Sequence, residues 1–145
     1  MISKTNAWQS YRQVAAQTAS PGQLILMLYD GAIRFLELAR NGFREEDPLL
    51  FNQTINNNII KAQNIINELN ATLNMEAGAE FAANMRRLYH YLDHRLHESN
   101  QFKREDGVTE AISRITVLRD AWQEMLQKQG QGNDASTMTS LAAVG

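Results

Sequence analysis

The run Ala19 Ser20 Pro21 Gly22 Gln23 constrains this chain most: it starts a helix sharply, and the stretch from Leu24 onward is too apolar for a helix with a single dry side. Ser20 can cap the free N–H groups of the first turn, Pro21 suits the first helical position, and Gln23 stands where a capping box places its reciprocal side chain. At 100° per residue, Leu24, Ile25, Leu28, Ala32, Phe35, Leu36 and Ala39 share one face, with Tyr29 and Phe43 on its edge. Leu26 and Ile33 point nearly the opposite way, and Met27 and Leu38 lie on a third flank among Gln23, Asp30, Arg34 and Glu37. Either the helix is central to a bundle and buried on more than one side, or it carries a second apolar groove for a partner helix.

Gly42 and the polar run Arg44 Glu45 Glu46 Asp47 end this helix at about Phe43, and Asp47 with Pro48 starts a second. There Ile55, Ile59, Ala62, Ile66, Leu69 and Leu73 recur in alternating steps of four and three, the seam of a helix packed against long neighbours at a shallow angle. Its other side carries Asn52, Asn56, Asn57, Asn64, Asn67 and Asn70, residues of poor helix propensity whose purpose the sequence does not reveal. A third helix is expected to run to about Asn100 with Ala82, Met85, Tyr89, Leu92 and Leu96 inward, widened by Phe81 and Leu88. Asp106 can cap a fourth, carrying Val108, Ala111, Ile112, Ile115, Leu118, Trp122 and Leu126, with Gly130 as its stop. Short turns between four such helices predict an all-α fold, an antiparallel up-and-down four-helix bundle over residues 20–130. Residues 1–19 form an N-terminal arm or short extra helix in which Trp8, Tyr11 and Val14 fall three apart. That arm either packs permanently on its own domain or plugs a binding groove. Residues 131–145 are Gly, Ser, Thr and Ala without periodicity, the composition of a disordered tail.

The 145 residues, 43% of them hydrophobic, suit one domain with a real core. A formal net charge of −2 lacks the basic excess of a nucleic-acid binder, so no nucleic-acid partner is expected. The absence of cysteine excludes disulfides, thiolate metal sites and thiol nucleophiles. The longest unbroken apolar run, Leu24 to Tyr29, is too short to cross a bilayer, and the first residues lack the core of a secretory signal; no membrane insertion and a cytoplasmic location are expected.

His90, His94 and His97 stand at i, i+4 and i+7, a spacing that stacks imidazoles on one helix face and can hold a metal ion. They lie opposite the Met85, Tyr89, Leu92, Leu96 seam, however, which makes them a solvated face, and no Glu-x-x-His pair exists for a carboxylate-bridged di-metal site. The residues after each histidine also lack the His-x-Leu-Lys-Gly pattern of histidine phosphotransfer domains. There is no Gly-x-Ser-x-Gly, no P-loop and no dinucleotide glycine pattern. No catalytic residue, metal or cofactor is expected, and the chain does not read as an enzyme.

Tyr11, then Thr18 Ala19 Ser20 Pro21 Gly22 Gln23 Leu24, then Met27 Leu28 Tyr29 Asp30 Gly31, resembles the flagellin export chaperone family, FliS. The resemblance continues through Lys61 Ala62 Gln63, Glu68 Leu69, Leu73 Asn74, Leu88 Tyr89 His90 Tyr91 Leu92, Asn100 and Leu118 Arg119 Asp120 Ala121 Trp122, covering about residues 8–126. His90 stands where the family usually has an acidic residue, which sets the histidine cluster apart from the shared function. The resemblance implies a cytoplasmic four-helix protein without cofactor that binds the C-terminal segment of flagellin, prevents its premature polymerisation and presents it to the flagellar export gate. The residues assigned to partner binding are Trp8, Tyr11, Val14, Leu24, Leu26, Met27, Tyr29 and Ile33. If Leu26, Met27, Ile33 and Leu38 are exposed, the arm, the client or a second copy in a homodimer must cover them. A bundle adaptor for an unrelated client is the alternative, and a phosphotransfer domain the weaker one.

Overall fold

In the computed structural model, which describes residues 20–73 and 78–132, four helices and no strand are present among the described residues. They are α1 (Pro21–Gly42), α2 (Pro48–Ala71), α3 (Ala79–Phe102) and α4 (Asp106–Gly132). The expected four-helix bundle is therefore present, while the arm with Trp8, Tyr11 and Val14 lies outside the described residues, as does the expected tail 131–145 except for its first two residues, which belong to α4.

Two helices begin as their sequences dictate. The Ser20 hydroxyl accepts from the Gln23 N–H at 3.2 Å, with Pro21 in the first turn, and the Asp47 carboxylate accepts from the Leu49 N–H at 2.8 Å ahead of Pro48. The other boundaries shift from expectation for local reasons. Phe43 is the C-cap of α1 instead of its last residue. Asp106 opens α4 as its first residue, because the Glu105 carbonyl takes the first helical hydrogen bond from the Thr109 N–H. Gly130 does not stop α4, which continues to Gly132; a single glycine inside a helix lowers its stability without breaking it.

The helices form a ring in which α1 adjoins α2 and α4, and α3 adjoins the same two from the opposite corner. Both seams of α1 are antiparallel with a nearly constant register. Gly31 lies against Ile65 and Gly42 against Thr54 and Ile55, while the Lys61 ammonium sits 5.2 Å from the Phe35 ring centre between those two levels. On the other side of α1, Gly22 meets Leu126 and Asp30 meets Arg119. Of the expected seam residues of α2, Ile55, Ile59, Ala62, Ile66 and Leu69 are buried, whereas Leu73 lies beyond the end of the helix and is partly buried against the core; those of α3 (Ala82, Met85, Tyr89, Leu92, Leu96) are all buried. Along α4, Val108, Ala111, Ile115 and Trp122 are buried, whereas Ile112, Leu118 and Leu126 are partly buried against that core.

Candidate functional site

Tyr29 and Tyr89 meet across the diagonal of the bundle, their hydroxyls 2.8 Å apart. Each hydroxyl thus satisfies the other where no water would. Desolvation pushes both phenols above their ordinary pKa, most strongly at Tyr89, so the pair stays neutral at physiological pH. This corrects the assignment of Tyr29 to partner binding: with 5% of its surface exposed it belongs to the core, and a partner cannot reach it without opening the bundle.

Asp30 and Gly31, next along the chain, face the neighbouring helices, Asp30 at the surface and Gly31 half-buried. The Asp30 carboxylate accepts from Arg119 Nε at 2.7 Å, tying α1 to α4 and raising the Arg119 pKa. At Gly31 an added Cβ would stand 3.1 Å from the Ile65 side chain, so its small size sets the approach of α2. Trp122 Nε1 donates to the Gly22 carbonyl at 2.7 Å, joining the start of α1 to α4. Residues of the motif Leu28 Tyr29 Asp30 Gly31 and of the run Leu118 Arg119 Asp120 Ala121 Trp122 thus serve as joints between helices, and Asp30 with Arg119 links the two directly.

The other assigned residues of α1 are partly buried and divide between its two flanks. Leu26 and Ile33 stand four and eleven residues after Gly22, on the stripe that faces α4. Met27 lies on the stripe of Gly31 and Gly42 facing α2, with Leu38 beside it at 40% exposed; Leu24 is seven residues before Gly31 on the same side. The reading that α1 is central and buried on more than one side accounts for the surplus apolar residues. What remains accessible is a broken apolar strip along each edge of α1, not a single groove. More exposed apolar side chains occur elsewhere, at Leu49, Leu50 and Ile60 on α2, Phe81, Tyr91 and Phe102 on α3, and Val117 on α4.

Two of the asparagines of α2, Asn56 and Asn70, acquire a purpose here. Asn56 Oδ1 accepts from Asn100 at 2.9 Å, Gln63 donates to the Asp93 carbonyl at 3.4 Å, and Asn70 Oδ1 accepts from Arg86 at 3.2 Å. Every seven residues forward along α2 are matched by seven backward along α3, so a polar ladder in heptad register laces that seam. Asn58 differs, donating to the Thr54 carbonyl of its own helix. On the far side of α3, Glu110 of α4 accepts from Tyr91 at 2.8 Å, Arg95 at 2.9 Å and Arg114 at 2.9 Å, and the Arg95 bond in particular holds its carboxyl below the usual glutamate range.

His90, His94 and His97 are exposed, and His94 lies 3.6 Å from Glu98 one turn on. Among the described residues no three His, Asp or Glu side chains are grouped to hold a metal ion. A surface depression of about 660 Å³ is lined by Glu105, Asp106, Thr109, Glu110, Ser113 and Arg114 from α4 and the residue before it, a single helix face without converging groups from a second element. No helix among the described residues is long and apolar enough to cross a membrane.

The family model described as Flagellar protein FliS matches residues 4–129, which includes nearly all of the bundle. The chain belongs to the FliS family. It is 38% identical over 132 residues to the flagellar secretion chaperone FliS of Bacillus subtilis, covering 90% of this chain and 94% of that one. To the flagellar secretion chaperone FliS of Salmonella typhimurium it is 34% identical over 125 residues, 83% of this chain and 90% of the relative. The protein of the same name in Campylobacter jejuni is 34% identical over 119 residues, 82% of this chain and 90% of the relative. These FliS proteins are named as chaperones, and the chain belongs with them outside the enzymes.

Proposed function

We propose that this protein is a flagellin-specific export chaperone of the cytoplasm, which binds the C-terminal segment of flagellin, keeps it from polymerising and delivers it to the flagellar export gate. The observation that carries this reading is the match to flagellar secretion chaperones along nearly the whole bundle, joints included. The physical chemistry is compatible with it. Half-buried Leu24, Leu26, Met27 and Ile33 along the edges of α1 offer apolar strips that an extended or helical client can cover, with a net charge too small to select nucleic acid. Trp8, Tyr11 and Val14 join these strips as competitors for the client: the arm covers the apolar surface in the free protein and is displaced on binding.

Calorimetry of the full chain with a flagellin C-terminal segment tests the reading, alongside seeded polymerisation of intact flagellin. Stoichiometric binding and suppressed polymerisation are expected, and a segment that neither binds nor is held back overturns the proposal. For the arm, Trp8→Ala with Tyr11→Ala should leave or improve affinity. A large loss would instead make the rings part of the client's own contact.

A further inference from the structure

Away from the seams, α3 carries a face of different chemistry. His90, His94 and His97 are all exposed there, on the side opposite the buried Met85, Tyr89, Leu92 and Leu96. The three are not equivalent. His90 and His94 stand about 40° apart around the helix and about 6 Å apart along it, so their side chains are neighbours on one turn. His97 departs from His94 by about 60° in the opposite sense. The His94 side chain is 70% exposed, and its Nε2 lies 3.6 Å from the Glu98 carboxylate one turn on, which leaves the other ring nitrogen for a ligand. Glu98 is itself steadied by Arg95 at 3.7 Å. On the far side of His90, the Arg87 guanidinium bonds to Asn84 and so leans toward the start of the helix, away from the imidazoles.

We propose that His90 and His94 form a two-imidazole clamp for a divalent transition-metal ion, Ni2+ or Zn2+, on the outer surface of α3. Neutral imidazole is a favoured ligand of these ions, and a second ring carried on the same helix binds as an intramolecular step, which raises affinity above that of a single histidine. Glu98 is a positioning residue: a carboxylate beside a ligating histidine holds its ring and compensates the charge of the ion. Among the described residues no three His, Asp or Glu side chains are grouped to hold an ion, so water fills the remaining positions, and the site is open and exchangeable, unlike a closed structural centre. The inference is independent of the chaperone reading, since the clamp lies on the helix at the corner opposite α1.

Calorimetric titration of the full chain with nickel chloride, in a buffer that does not bind metal, tests the clamp. One ion per chain is expected; His90→Ala and His94→Ala should each weaken binding at least about tenfold, and His97→Ala less than about twofold. On the wild type, Zn2+ should shift the ring resonances of His90 and His94 and spare those of His97, a readout that needs no variant. The ion binds the ordered helix better than the unfolded chain, so it should also raise the thermal midpoint of the wild type and leave that of His90→Ala unmoved. Equal weakening by all three alanine variants, or equal ring shifts at all three histidines, means an adventitious ion only and overturns the clamp. So does a titration that never saturates. Glu98→Gln should weaken binding while the same two rings respond to Zn2+, and an unchanged affinity removes Glu98 from the site.

Discussion

α1 and α3 stand at opposite corners of one bundle and contribute similar numbers of core residues, yet their seams are built on different principles. α1 approaches its neighbours through glycine: Gly31 and Gly42 let α2 in, Gly22 lets Leu126 of α4 in, and fully buried Leu36, Ala32 and Ala39 fill the space between. α3 has one such approach, Gly107 of α4 against Ser99 and Arg95, and is otherwise edged with polar side chains, the heptad ladder toward α2 on one side and the Glu110 cluster toward α4 on the other. Close packing gains dispersion contacts and excludes water along the whole seam. A hydrogen bond between half-exposed side chains fixes register but contributes little net stability, since water competes for both partners. α1 is therefore the member whose disturbance should unfold everything, and α3 the member that can be disturbed locally.

Core truncations put the largest strain on that contrast. Leu36→Ala in α1 should cost about 3–5 kcal/mol in global stability, because the tightly packed surroundings cannot collapse onto the cavity. Met85→Ala in α3 should cost about 2 kcal/mol, at the low end for such changes, since Met85 is 8% exposed and its end of the helix can resettle. Urea denaturation of the two variants gives the comparison directly. Equal losses would show that the two corners are equally rigid.

The hydroxyl pair at the centre belongs to both helices, and its removal separates a missing partner from a missing bond. Tyr89→Phe leaves the Tyr29 hydroxyl buried without a partner and should cost about 1–3 kcal/mol. Replacing both residues by phenylalanine removes the orphan and should recover most of that loss, so the double variant is expected to be more stable than either single one. Additive losses in a double-mutant cycle would mean that the two hydroxyls contribute independently of their mutual bond. A smaller effect is expected at the start of α1. Trp122→Phe keeps most of the buried ring but loses the donor to the Gly22 carbonyl, at about 1 kcal/mol. Chemical-shift changes confined to residues 22–26 would place the damage at that joint.

Sequence reasoning reaches the four helices because each carries a long apolar stripe of helical period, and two carry a polar cap with proline directly after it. Periodicity specifies which face is dry but not which neighbour dries it, so Leu26 and Ile33 read equally well as a partner groove and as a flank of a central helix. Tyr29 misleads for a related reason: a tyrosine on the edge of a stripe carries a polar tip that usually seeks solvent, and only the second tyrosine, 60 residues on, turns that tip inward. The purpose of Asn56 and Asn70 emerges only with the α2–α3 register, although a repeat of seven through Asn56, Gln63 and Asn70 is the available signal. The motif that marks the family is easily found, but its residues serve as joints, and the sequence alone offers no way to tell a joint from a contact.

The smallest effect tests the electrostatic edge of α3. Glu110 accepts from Tyr91, Arg95 and Arg114, and those bonds, Arg95 first, lower its pKa relative to an unfolded chain. A carboxyl that binds its proton less readily when folded adds stability above its unfolded pKa, and that contribution is lost as pH falls through the lower folded value. The cluster is partly open to solvent, so its worth at neutral pH should be under about 1 kcal/mol and should shrink in salt. Glu110→Gln removes the charge while retaining a carbonyl oxygen for one donor. Urea midpoints for wild type and variant should differ slightly at neutral pH and converge in acid, once the wild-type carboxyl is itself protonated. A difference that persists undiminished in acid would mean that the side chain acts through packing, and the seam between α3 and α4 would then resemble those of α1 more than its polar composition implies. If the variant also leaves exchange at residues 91–100 unchanged, the close approach of Gly107 to Ser99 is what anchors that end of α3.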